Sequence, residues 1–221
     1  MSTHIYISPD VAQVRALHPY LTTVSFRTLP VRDQIAQQAE TVRQAHATGD
    51  RRVRMHLQSW WPPAIGHPLD HVMDMPLTDS DARLALSREY GFADWDAVQR
   101  DGGGTLDAAF EQALDALLAG DLAALAEQLT EMPELARART AYGHRSTLPH
   151  YIGANGVESH RQVTPLNAAD MARLLIRHGA DRHAVANMYA GGQTATMLAQ
   201  TSAHPQEAGV MAALLAALSV E

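Results

Sequence analysis

Between residues 142 and 167 the chain gathers side chains that bind ligands and move protons: Tyr142, His144, His150, Tyr151, Asn155, Glu158, His160, Arg161, Gln162 and Asn167. Glu158 with His160, or with Arg161, has the makings of an acid/base couple, His160 because an imidazole exchanges its proton near neutral pH. Asn155, Gln162 and Asn167 carry amides that donate and accept at once, the groups that orient a small polar ligand. Farther on, Tyr189 precedes Gly191-Gly192, and Thr201-Ser-Ala-His204 sets hydroxyls beside an imidazole. In an enzyme, Glu158, His160, Tyr189 and His204 are the proton-transfer candidates. In a binder, Tyr142, His144, His150, Tyr151, Asn155, Arg161, Gln162 and Asn167 hold the ligand. The competing reading is that these groups satisfy the backbone of a polar loop.

Several chemistries are disfavoured. The chain has no cysteine, hence no disulfide, thiolate metal site or cysteine nucleophile. No Gly-x-Ser-x-Gly elbow accompanies the Ser202/His204 pair, and the glycines at 102–104 lack the Lys-Ser/Thr of a phosphate loop. His144, His150, His160, His183 and His204 show no metal-ligand spacing, and the same holds for His67, Asp70 and His71, so neither a metal nor another cofactor is expected. With a net charge of −7 and no basic run longer than Arg51-Arg52, nucleic acid and anionic membranes are poor partners. The apolar run Val210–Leu218 is too short for a bilayer, and the first ten residues lack a signal peptide's pattern; a soluble, cytoplasmic protein is expected.

The elements that must position these side chains read as helices. Leu106, Phe110, Ala113, Leu114, Leu117 and Leu118 form one stripe at helical spacing, and Leu122, Leu125 and Leu129 form a second. Between them Gly120 ends the first helix and Asp121 caps the next. An earlier copy of this unit runs from Gln34 through Gly49-Asp50, and Gly to Pro is 13 residues in both. Thr78 or Asp79 caps a helix that carries Leu84 and Leu86 and closes at Gly91. Ile5–Ile7 reads as a short strand, and Pro9-Asp10 opens a helix. In Trp60-Trp61, one ring belongs to the core.

The C-terminal half resembles the ankyrin repeat in Thr147-Leu148-Pro149-His150, Leu174-Leu175 and Gly179-Ala180-Asp181, with Leu and Pro transposed from the usual turn. A degenerate unit starts near Gly191-Gly192-Gln193-Thr194. Thr147 and Thr194 are 47 residues apart, against about 33 in a standard repeat, and the surplus lies in Val157–Leu166 and Asn187–Gly192. His150 occupies the ankyrin histidine position, where the ring bridges backbone groups of neighbouring repeats. Residues 34–101 are similar to the N-terminal region of bacterial ankyrin-repeat proteins, through Ser87-Arg-Glu-Tyr-Gly-Phe-Ala-Asp-Trp95. The resemblance extends to Asn155-Gly-Val-Glu158 and Thr164-Pro165, and implies a fold more than an activity.

The expectation is an all-α protein of stacked helical hairpins, an ankyrin-like α-solenoid. Its parts are an N-terminal segment of unassigned role (1–33), a helical half (34–101), a flexible glycine joint (102–105) and the ankyrin-like half (106–221). Stacks of this kind recognise other molecules through projecting loops, so a protein partner or a small ligand is expected on 142–144, 155–167 and 188–192. The alternative is a cofactor-independent hydrolase, lyase, isomerase or cyclase acting on a small metabolite by acid/base chemistry.

Overall fold

A computed structural model describes residues 5–153, 155–189 and 191–219 and is mostly helical (62%). Strand β1 (Ile5–Tyr6) leads into helix α1 (Pro9–Leu17), where the Ser8 side chain accepts the Val11 amide and Pro9 presets the helical backbone. After α2 (Val24–Arg27), the long α3 (Val31–Ala47) buries Val31, Ile35, Ala39 and Val42 along one face. Helices α4 (Arg54–Trp60), α5 (Leu69–Asp74), α6 (Asp79–Glu89) and α7 (Trp95–Asp101) follow. Thr78 and Asp81 exchange a reciprocal cap at the start of α6.

Helices α8 (Ala108–Ala119) and α9 (Leu122–Glu131) carry the two leucine stripes. Asp107 caps the first, Asp121 caps the second, and Gly120 turns between them at φ +69°. Next come α10 (Leu148–Ile152), β2 (Thr164–Pro165), α11 (Ala168–Arg177), β3 (Val185–Met188), β4 (Gly191–Thr194), α12 (Ala195–Thr201), α13 (Ala203–Glu207) and α14 (Met211–Ser219). Two small antiparallel sheets accompany the helices. Ile5 lies opposite Pro165 in β1–β2, and Val185 lies opposite Thr194 in the β3–β4 hairpin. No helix among the described residues is long and apolar enough to cross a membrane.

Two apolar clusters form the core. One joins Val31, Ile35, Val42, Leu57, Leu86, Tyr90 and Val98; the other joins Phe110, Leu114, Leu125, Leu148, Met171, Leu175, Leu198 and Leu214. Each large side chain hidden here contributes about 1.5–3 kcal/mol relative to exposure. Helix α1 serves both clusters, with Val11 in the second and Leu17 in the first, and Tyr142 reaches back into the first. Trp61 is 2% exposed and belongs to the first core, whereas Trp60 is only partly covered.

The glycine run at 102–104 is not a free joint. The N-cap of α3 is Pro30, which offers no side-chain acceptor, and the carbonyls of Gly104 and Gly102 accept the amides of Val31 and Arg32, each at 2.9 Å. The run thereby satisfies helix donors that would otherwise lack partners. A tight backbone seam forms where Gly91, at φ +77°, lies against His144, whose amide donates to the Tyr90 carbonyl at 3.2 Å.

Candidate functional site

The extra segment between α10 and α11 turns inward. Glu158 and Ser159 are fully covered, and His160, Arg161 and Gln162 are at most 8% exposed. This corrects the expectation of a projecting contact loop, as do Tyr142 and His144, which are also buried. The cause is charge pairing. Arg161 Nη1 is 3.3 Å from both Glu158 Oε1 and Glu111 Oε1, and its other terminal nitrogen bonds Glu111 Oε2. A polar segment buries at tolerable cost when its charges are matched in this way.

The other candidates in the segment complete this network or bond their own surroundings. Tyr151 donates to Glu158 Oε1 at 3.2 Å, and Tyr142 donates to Gln34 Oε1 at 2.9 Å. His144 Nδ1 accepts the Ser146 amide, which puts the ring proton on Nε2, 3.6 Å from Glu158 Oε2. Gln162 donates to the Val157 carbonyl and meets His204 Nε2 through its oxygen at 3.3 Å. Asn167 donates to the Gly120 carbonyl. Asn155 bonds the Thr201 hydroxyl and accepts the Tyr189 hydroxyl at 2.6 Å. In His150, Nδ1 accepts the Thr147 amide and Nε2 donates to the Gln193 carbonyl.

The electrostatics follow from burial and from Arg161. Burial pushes the Glu158 carboxyl up, but Arg161 and His144 outweigh it and bring it down to about 2. Burial, reinforced by Arg161, holds the His160 imidazole well below its usual range and therefore neutral. Burial lowers His150 to about 4 and lowers His204, while it raises Tyr142 and Tyr151 well above the usual phenol range. An ionised, covered Glu158 bonded to Tyr151 and Arg161 is a structural anion rather than the partner of His160. Among the described residues no group of three or more His, Asp or Glu side chains is placed to hold a metal ion.

An open groove of about 870 Å³ lies between the β3–β4 hairpin and the first half of the chain. Trp60, Ile65, Phe92, Met188 and Tyr189 give it apolar walls, and Arg88 is the one charged side chain lining it among the described residues. The Tyr189 ring is stacked on Trp60 with centroids 5.9 Å apart and planes 10° from parallel. Tyr189 is held at φ +52°, an unfavourable conformation for an aromatic residue, and remains 52% exposed. Gly156 permits the approach of the hairpin tip, since a Cβ there would lie 2.6 Å from the Met188 sulfur. Tyr189 therefore faces this groove, while His160 lines a different cleft beside α1 and α2.

Two pairings in these regions leave little trace in the sequence. Glu111 reads as part of the outer face of α8, yet it is 5% exposed and neutralises Arg161; its place beside Phe110 and one turn before Leu114 was the available signal. Trp60 and Tyr189 are too far apart in the chain for any local pattern to join them. No protein-family model, curated protein or solved structure matches the chain.

Proposed function

We propose that the protein is a noncovalent recognition module of the ankyrin-like, stacked-hairpin kind, and that its groove receives an extended segment of a protein partner. The observation that carries this reading is the Trp60–Tyr189 stack, a mostly apolar aromatic surface left open beside Ile65 and Met188. Aromatic anchors of this type supply much of the energy of protein recognition. Gly191 in the wall leaves open space beside its backbone, where a Cβ would meet only Gln193 at 4.0 Å. Arg88 has no carboxylate partner among the described residues, so the favoured segment carries an apolar side chain and an acidic one. The acid/base alternative has less support, because Glu158 is ionised and covered.

The reading is tested by selecting peptides from a displayed random library with the full chain. The selected peptides are expected to share an acidic and a large apolar residue and to lose at least about tenfold in affinity on Trp60→Ala. Circular dichroism must show that the variant keeps its fold. Peptides that bind the folded variant as well as the parent would reject the groove as the recognition surface.

A further inference from the structure

A second cleft, of about 420 Å³, lies between the N-terminal segment and the buried insertion. Three arginines line it, and two have carboxylate partners. Arg27 forms a two-pronged pair with Asp115, and Arg161 is shared between Glu111 and Glu158. Arg15 has none within ion-pair distance among the described residues. Its Nε donates to the His160 carbonyl at 2.8 Å, which leaves its two terminal nitrogens without a protein acceptor there.

His160 gives an independent indication at the same place. Its side chain lies in a residue only 8% exposed that lines the cleft, and neither ring nitrogen has a hydrogen-bond partner among the described residues. An imidazole and a guanidinium that both line the cleft, with nitrogens free of protein partners among the described residues, can together meet the oxygens of a ligand. His18, on the same wall, differs because both its nitrogens are taken, by Tyr20 and His56. Ile5, Leu21, Leu118 and Val163 supply apolar surface to the same cleft.

The charge pattern selects the ligand class. The guanidinium fork of Arg15 matches one carboxylate, whereas a dianion would bring a second negative charge into a cleft that Asp115 also lines. The four apolar side chains require a body without charge. We infer that this cleft binds a small monocarboxylate with a branched or aromatic body, its oxygens held by Arg15 and His160 and its body lying on Leu118 and Val163. Such a ligand bridges α1 to the insertion, and its site is separate from the peptide groove.

The test titrates the full chain with isovalerate, benzoate, benzamide and inorganic phosphate, following Tm and the ring resonances of His160. At least one carboxylate is expected to raise Tm and move the His160 signals, while benzamide and phosphate do neither. Arg15→Gln, at an exposed position, is expected to stay folded and weaken binding at least about tenfold, with Arg15→Lys intermediate. Binding should be unchanged in Trp60→Ala, so failure of the groove reading leaves this one standing. The inference is overturned if neither carboxylate binds, if phosphate binds as well, or if folded Arg15→Gln retains full affinity.

Discussion

Glu89 Oε2 lies 2.5 Å from His56 Nδ1 with both side chains 1% exposed, and the other Glu89 oxygen accepts the Ser159 amide at 2.9 Å. The chain of bonds continues from His56 Nε2 to His18 at 3.0 Å, from His18 to the Tyr20 hydroxyl at 2.8 Å, and from Tyr20 to Thr41 at 2.8 Å. One carboxylate thereby ties α4, α6, the turn after α1 and the insertion together. Glu89→Ala leaves the imidazole and the Ser159 amide without their acceptor, and we expect a loss of about 3–5 kcal/mol. Urea unfolding measures it as a lower midpoint at unchanged slope; a loss under about 1 kcal/mol would show that the pair is dispensable.

Glu158 predicts an acid transition. Its carboxyl sits near 4.5 when free and at about 2 in the fold. A depressed folded value means that the contribution is complete above the unfolded value and disappears as pH falls from about 5 towards about 2. Its size is on the order of 3 kcal/mol. Glu158→Gln should be less stable at neutral pH and show a flatter decline in acid. Parallel stability curves for the two proteins between pH 5 and 2 would contradict this assignment.

The seam at Gly91 separates two effects of adding a methyl group. Gly49 and Gly91 share nearly the same backbone, at φ +75° and +77°, but a Cβ at Gly49 meets nothing within 4 Å. At Gly91 it would stand 2.2 Å from the His144 nitrogen. Gly49→Ala should cost about 1–2 kcal/mol from backbone strain alone. Gly91→Ala should cost at least about 3 kcal/mol, because the two backbones must separate. Equal losses in thermal unfolding would show that the seam yields easily.

Tyr189→Asn keeps a residue type that tolerates positive φ while removing the ring. Its stability should stay within about 1 kcal/mol of the parent, since relief of strain offsets the lost stack. Trp60 emission should shift to the red as water reaches its face. An unshifted spectrum would place the stack outside the fluorescent environment of Trp60.

The readable parts of the fold were local. Apolar spacing located α8 and α9, and Gly120, Asp121 and Thr78 announced their caps because each acts within a few residues of itself. His150 was legible through its resemblance to the ankyrin turn histidine, and its ring does bridge two backbone groups, the Thr147 amide and the distant Gln193 carbonyl. The insertion was misread because its burial depends on Glu111, 50 residues before Arg161 in the chain. A polar stretch looks solvated until its counter-charges are known. The hairpin at 185–194 was hidden in the same way, as glycines and small polar residues give no alternating apolar signal.

The pairing of Ile5 with Pro165 also sets a schedule for synthesis. About 160 residues must be translated before the first strand meets its mate, which takes on the order of ten to thirty seconds at typical elongation speeds. Beyond that interval Val11 still waits for the later members of its core, such as Leu175 and Leu198, leaving helix α1 available to chaperones and proteases.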